Sequence, residues 1–352
     1  MDEYSGFKSY KEWEKSFKQR KARELDKEWY KARSLFGNTW AYFYIILGAR
    51  DAGKSYDVMM RFLHDWKFKG KPFTWLRLTE ASTKKLLNNK ADKFVDPDLR
   101  RQYDLDLTVK GCQVYDHGKP MAKVLALSTF YNDKGVALYD NEYDLGYNIC
   151  LDEMNREKAE KKTFDINYCF VNQMENLVRD SKEKIRIVLI GNTLEEASDI
   201  LCLFNFIPEQ FGRYKLRKKK AVIDYMAPSN KYLRRRQGSV ADILAGSEST
   251  FTNKIEVDKT LIYKGRLRKP SYIVVFGKER EKKFTVWDTF IVTKFNGEHA
   301  NQVPMRPYLD LVFTTEQRDL VFKQFDARLY RFRDLITQKQ FKRQLELLKP
   351  SK

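Results

Sequence analysis

The chain has 352 residues, a formal net charge of +19, and hydrophobic residues at 42% of positions. That length suggests two domains and a sizeable core, and no run reaches the roughly 18 apolar residues of a membrane span. The charged start MDEYSGFKSYKEWEKSFK lacks the apolar stretch of a secretory signal, and four cysteines without CxxC spacing argue against a structural zinc site. Cys150 and Cys202 sit in apolar segments, which fits a reducing cytoplasm. The positive charge is clustered at residues 18–23, 215–220, 234–236 and 264–269. Such clustering favours a polyanion partner, nucleic acid above all, over a merely solvated basic surface.

Residues 8–35 read as one amphipathic helix, with Trp13, Phe17, Leu25, Trp29 and Ala32 recurring at spacings near three and four. Residues 40–47 (WAYFYIIL) form an apolar run of strand type, and residues from Tyr56 onward carry helical spacing through Val58, Met59, Phe62, Leu63 and Trp66. Between them, Gly48-Ala49-Arg50-Asp51-Ala52-Gly53-Lys54-Ser55 is a complete phosphate-binding P-loop running into Tyr56. Gly48 and Gly53 let the backbone bend so that successive N–H groups face a β-phosphate. Lys54 reaches the β- and γ-phosphates, and the Ser55 hydroxyl is placed to ligate Mg²⁺. A strand–loop–helix supplies a helix N-terminus for the phosphates. The cofactor pair is therefore ATP with Mg²⁺.

Residues 73–78 read as a strand, 82–94 as a helix, and 108–114 and 123–127 as short strands. A buried strand at 148–151, a helix at 164–180 and a buried strand at 185–190 follow. Apolar strands alternating with amphipathic helices predict an α/β domain with a mainly parallel sheet covered on both faces. The first of these buried strands ends in Asp152-Glu153. Asp152 would hold Mg²⁺ with Ser55, and Glu153 would polarise the attacking water, which favours hydrolysis over phosphoryl transfer to a small molecule. The second ends in Gly191-Asn192-Thr193, with Asn192 the candidate γ-phosphate sensor and Thr193 the reserve. Arg179, near the end of helix 164–180, is the candidate arginine finger, equally readable as a cation favoured at a helix C-terminus; Arg186 lies within the strand pattern. Arg50 can act on phosphate in cis or pair with Asp152 or Glu153.

Residues 226–250 are rich in Ser, Gly, Pro and Arg and read as a linker with a short helix near 240–244. Beyond it, short strands at 259–264, 271–277, 283–287 and 290–294 and a helix over 316–348 predict a second, α+β domain. The expected division is an N-terminal helical extension at 1–36, a P-loop ATPase domain at 37–225, a linker at 226–252 and a C-terminal domain at 253–352.

These residues resemble the DNA-packaging ATPases of small short-tailed phages of the phi-twenty-nine type, in the terminase-like branch of additional-strand (ASCE) P-loop motors. The match rests on Ile46 to Ser55 (Ile-x-Gly-Ala-Arg-x-x-Gly-Lys-Ser), on Asp152 to Lys158 (Asp-Glu-x-x-Arg-Glu-Lys), and on the spacing from Met174 to Arg179. The strand tip at Asn192 and the Phe-Asn-x-x-Pro segment from Phe204 to Pro208 support it. The resemblance implies Lys54 and Ser55 on nucleotide and Mg²⁺, Asp152 and Glu153 as catalytic acids, and Arg179 acting in trans. It also implies a ring, usually a pentamer, docked on the phage portal in the host cytoplasm and pumping double-stranded DNA into a procapsid, in some cases through a structured packaging RNA. Loops at the catalytic strand ends face the channel in such motors, which makes Lys134, Arg156 and Lys158 candidates for gripping DNA.

Where the family has a second basic trans-acting residue, this chain has Glu80, and Lys84 or Lys85 is the substitute. The resemblance leaves the N-terminal helix unexplained. Large terminases carry an RNase H-like nuclease, whose metal site needs converging acids. Residues 271–277 have none and Asp288 stands almost alone, so a vestigial nuclease that binds nucleic acid or portal through residues 264–269 and 278–283 is expected. The competing reading is a helicase-like P-loop ATPase not tied to capsid filling.

Overall fold

The structure, a computed structural model, describes residues 29–133, 147–156, 164–178, 185–192, 198–245, 259–276, 282–297, 305–307 and 322–346. The chain divides into two compact units, Met1–Glu195 with Pro208–Ile255, and Glu196–Ile207 with Glu256–Lys352. Residues 196–207, read from sequence as part of the ATPase domain, thus belong with the second unit, and residues 226–252, read as a linker, belong with the first.

Among the described residues the first unit is built on a nine-stranded sheet in the order β3-β4-β5-β2-β6-β7-β1-β9-β8. The strands are β1 (Phe43–Leu47), β2 (Phe73–Arg77), β3 (Leu107–Lys110), β4 (Gln113–Asp116), β5 (Lys119–Ala126), β6 (Tyr147–Asp152), β7 (Ile185–Gly191), β8 (Gly212–Leu216) and β9 (Ala221–Tyr225). From β5 to β9 the order is parallel throughout, and antiparallel strands close both edges. The apolar run of β1 explains its central place. Tyr44 and Ile46 join the core on one face while Ile45 and Leu47 are fully buried on the other. Strand β7 lies between β1 and β6, so one additional strand separates the P-loop strand from the strand ending in Asp152.

The P-loop helix (Lys54–Lys69) buries Val58, Met59, Phe62 and Leu63 against this sheet and stops at Gly70, whose φ of 63° suits a glycine C-cap. Several boundaries differ from the sequence reading. The first strand starts at Phe43, not residue 40. Residues 108–114 are a hairpin rather than one strand, because Gly111 takes φ 59° and turns β3 into β4. The helix expected over 82–94 runs Glu80–Ala91 from a Thr79 N-cap, and Asn88, Asn89 and Lys90 leave helical geometry. The helix expected over 8–35 lies outside the described residues up to 28. Its end is not continuous helix, since only Arg33–Phe36 is helical. This segment is held because the buried Asp57 accepts the backbone N–H of Ala32 at 2.7 Å, and Ala32 and Leu35 are fully buried.

At the opposite end of the sheet from the P-loop, buried Asp65 collects three donors. Lys69 Nζ is at 2.7 Å, Asn148 Nδ2 at 3.1 Å and Arg186 Nη1 at 3.1 Å. Burial alone would raise the Asp65 carboxyl, but these partners outweigh it and hold it below the ordinary carboxylate value. Arg186, which the sequence places within the strand pattern, is thereby committed to the fold.

The second unit carries a five-stranded sheet in the order β13-β10-β11-β12-β14. Strands β10 (Pro270–Phe276), β11 (Lys282–Trp287) and β12 (Ile291–Lys294) form an antiparallel meander. Strand β13 (Met305–Pro307) lies parallel to β10, and β14 (Arg331–Phe332) parallel to β12. Alternate residues Tyr272, Val274 and Phe276 meet Phe341 and Leu345 of the terminal helix (Leu335–Glu346) in one core. The ring of Phe341 lies 5.3 Å from those of both Phe276 and Phe284.

Two expectations fail here. Residues 259–264 give a single bridge, Ile262 to Phe332, rather than a strand. The long C-terminal helix is interrupted. Helix at 322–326 ends at Arg328, with φ 55°, and Tyr330 and Phe332 are both buried at strand spacing. Asp334 then starts the terminal helix by accepting the N–H of Thr337 at 2.8 Å. All four cysteines are free, and Cys150, Cys169 and Cys202 are buried. Among the described residues no helix is long and apolar enough to cross a membrane.

Candidate active site

The three parallel strands β1, β7 and β6 bring the P-loop, Asn192 and Asp152-Glu153 to one sheet edge. The register aligns Leu47 with Gly191, and Ile190 with Asp152. Gly48 donates its N–H to Gly191 O at 3.3 Å. A side chain at Gly48 would meet Met226 Sδ at 2.7 Å, so any larger residue here obliges Met226 to move. Gly53 is required by its φ of 80°, in the left-handed region, and it begins the P-loop helix.

Lys54 is buried under the loop. Its Nζ donates to Gly48 O at 2.9 Å, to Ala49 O, and to Asn192 Oδ1 at 3.4 Å. Burial pushes its pKa down from 10.5 to about 8; Asp152 opposes that shift and Arg50 adds to it. Ser55 Oγ donates to Asp152 Oδ1 at 2.8 Å. A hydroxyl and a carboxylate oxygen side by side form a hard-oxygen donor pair of the kind Mg²⁺ takes. Burial raises the Asp152 carboxyl above its ordinary value, with Arg77 and Ser55 partly offsetting this and Glu153 adding to it. Next to it, Glu153 takes φ 59° and turns outward, its side chain 58% exposed against 5% for Asp152. One acid is thus buried beside the loop hydroxyl while its neighbour faces solvent.

Sequence reasoning missed the cation that joins these acids. Arg77, at the tip of β2, places Nη2 3.0 Å from Asp152 Oδ2 and pairs Nη1 with Glu153 Oε2. It takes the place for which the sequence offers Arg50. The available signal was a lone arginine closing the apolar run of residues 73–78.

Other candidates separate by location. Arg179, Lys134, Lys158 and the reserve Thr193 lie outside the described residues. Arg156 is engaged within its own unit. Its guanidinium stacks 4.6 Å over the Phe164 ring and donates to the Phe164 carbonyl. Lys84 is paired with Glu80 at 2.9 Å on the helix surface, while Lys85 is exposed. In the segment read as a linker, a helix at Asn230–Arg236 docks on the P-loop. Tyr232 is buried with Ala49 and Ala52, and Arg235 lies at Asp51. Part of the basic run 234–236 therefore serves the ATPase unit itself. Runs 215–220 and 264–269 do present exposed Lys215, Arg217, Lys218, Lys264, Arg266 and Arg268.

No curated protein matches the sequence. Among solved structures, the Phi-28 gp11 DNA packaging motor superposes with a TM-score of 0.66 at 14% identity, covering 92% of this chain and 99% of its own. The bacteriophage Phi-29 viral genome packaging motor assembly gives 0.61 at 18% identity, covering 91% and 100%. At these identities the likeness is one of fold. The profile of the podovirus DNA encapsidation proteins (Gp16) matches residues 25–334, and the chain belongs to that family.

Proposed function

We propose that this chain is the ATP-hydrolysing subunit of a ring motor that drives double-stranded DNA through the phage portal into a preformed procapsid. The observation that carries the reading is the Ser55–Asp152 hydrogen bond, made across β7 with Lys54 and Glu153 on either side. Ser55 and Asp152 would hold Mg²⁺, which when bound neutralises charge on the β- and γ-phosphates. Lys54 leaves its carbonyl partners for the phosphate oxygens. Glu153, once released by Arg77, polarises the attacking water, and Asn192 registers the γ-phosphate through Lys54. Residues 48–56 form the nucleotide cradle, with Arg50 as an exposed member of it.

The finer assignments rest on the family resemblance and on charge. The ring is a homopentamer working in the host cytoplasm while attached to the procapsid, with a structured packaging RNA as a further partner. Arg179 acts across the subunit boundary, and Lys134 and Lys158 grip phosphate. The second unit is an RNase H-like domain that binds rather than cuts. Its meander with a parallel neighbour to β10 supports that fold. Asp288 supports the loss of cutting, because its carboxylate accepts the N–H groups of Arg268 and Lys269, both at 3.3 Å.

The test is ATP hydrolysis with and without double-stranded DNA. DNA should stimulate the wild type, and Lys54→Ala and Glu153→Gln should abolish turnover. Wild-type hydrolysis indifferent to DNA, portal and procapsid would count against the motor. For Arg179, inactive Arg179→Ala and Glu153→Gln subunits should partly complement each other in mixed rings; no recovery at any ratio assigns Arg179 a role within its own subunit.

A further inference from the structure

A P-loop binds phosphate because its N–H groups point inward, which obliges its carbonyls to point outward and find donors elsewhere. In this chain every carbonyl from Gly48 to Gly53 has one. Lys54 Nζ serves Gly48 O and Ala49 O. The Tyr232 hydroxyl donates to Arg50 O at 3.0 Å, Arg235 Nη2 to Asp51 O at 2.6 Å, and the backbone N–H of Tyr30 to Ala52 O at 2.9 Å. Gly53 O takes the first helical N–H, from Asp57, at 3.0 Å. The three outward carbonyls in the middle thus depend on two segments far away in sequence.

Those segments also lock each other. The Arg235 guanidinium lies 3.8 Å over the Trp29 ring, and Trp29 also packs on Gly53, where an added Cβ would stand 3.2 Å from Trp29 Cε3. Tyr232 and Arg235 are three residues apart on one helix and so face the loop together, with Ser229 capping that helix by accepting the Tyr232 N–H at 3.1 Å. Arg235 further approaches the Asp51 carboxylate at 3.4 Å, at a residue whose φ is 59°.

We propose that Trp29, Tyr30, Tyr232 and Arg235 form a collar that presets the P-loop for phosphate, making Tyr232 and Arg235 positioning residues for nucleotide binding. None of them needs to touch the nucleotide. The collar fixes the peptide planes of residues 50–52 before phosphate arrives, so less ordering of the loop is left for binding. The helix carrying Tyr232 and Arg235 also lies on the covalent path from β9 to the second unit. Displacing it would loosen the phosphate site and lower nucleotide affinity. This deepens the ATP-site reading and rests on it.

The experiment measures binding of a fluorescent N-methylanthraniloyl-ATP with Mg²⁺, and its competition by ATP and by inorganic tripolyphosphate, on the full chain. Tyr232→Phe keeps the buried ring and removes the donor to Arg50 O together with the hydroxyl's hydrogen bond from Arg236; Arg235→Lys keeps the charge and removes the stack on Trp29. Each should raise the Kd by about threefold to tenfold, the loss expected of one hydrogen bond. Competition by tripolyphosphate should weaken as much as competition by ATP, because the defect is in the phosphate cradle. Trp29→Phe should restore most of the affinity lost in Trp29→Ala. Thermal unfolding of the Tyr232→Phe and Arg235→Lys variants close to wild type confirms an intact fold, and substitution at Tyr232 alone carries the test if the Arg235→Lys variant unfolds early.

Wild-type binding, lost in Lys54→Ala but unchanged within twofold in both collar variants, overturns the collar while leaving the nucleotide site standing. Weaker ATP with unchanged tripolyphosphate also overturns it, placing these residues on the base instead. No binding by the wild type overturns the nucleotide reading and the collar with it.

Discussion

Arg77 holds Glu153 by an ion pair while a second guanidinium nitrogen lies 3.0 Å from Asp152. A single planar fork at the tip of β2 therefore sets the positions of both acids. Arg77 occupies Oε2 of Glu153, so the carboxylate proposed to activate water must leave Arg77 before a water can take that position. Lysine offers a point charge that can serve one acid but not bridge two. Arg77→Lys should therefore lower kcat by about tenfold with KM for ATP changed by less than about threefold. Steady-state ATPase kinetics checks it; an unchanged kcat removes Arg77 from the catalytic account.

Gly48 and Met226 form a second testable pair. A methyl at position 48 meets the Met226 sulfur at 2.7 Å. Gly48→Ala should lower the unfolding temperature, and adding Met226→Ala should restore much of it. The double-mutant cycle should show a coupling of about 1 kcal/mol or more. Additive effects would mean that the contact does not set the requirement for glycine.

The motif-bearing parts of this site were legible because their chemistry is local. Gly48 to Ser55 and Asp152-Glu153 announce themselves within a few residues, and the apolar runs at β1, β6 and β7 mark the strands that carry them. Arg77, Trp29, Tyr232 and Arg235 were not legible, because each acts on a partner brought near only by the sheet order. Tyr232 sits in a stretch whose Ser, Gly, Pro and Arg content reads as linker, yet it packs on Ala49 and Ala52. The same limit explains the C-terminal helix. Leu329, Phe332 and Ile336 fit a helical period, but burial of Tyr330 and Phe332 at spacing two decided for a strand.

The Asp65 cluster predicts a pH dependence of stability. Its carboxyl is held below the ordinary value in the fold. Its contribution is therefore complete above an unfolded pKa near 4 and disappears as pH falls through the depressed folded value. Asp65→Asn should cost about 2 kcal/mol at pH 7, and the gap to wild type should close in acid. Urea unfolding at several pH values measures it, and a gap independent of pH would contradict the assignment.

In the second unit, Phe341 is the residue on which the sheet face and terminal helix converge, in ring contact with Phe276, Phe284, Tyr330 and Phe332. Phe341→Ala should destabilise that unit by about 3–5 kcal/mol. Hydrogen exchange should show faster exchange in β10 and β11, while unchanged protection there would place the core elsewhere.

The central claim is that the Lys54–Ser55–Asp152–Glu153 site powers DNA encapsidation. Its most direct measurement is DNA protected from nuclease inside procapsids carrying their portal, mixed with this protein, genomic double-stranded DNA, ATP and Mg²⁺. The account predicts full protection with the wild type, and none with Glu153→Gln even though that variant still binds ATP. Protected DNA accumulating at the wild-type rate with Glu153→Gln would contradict it.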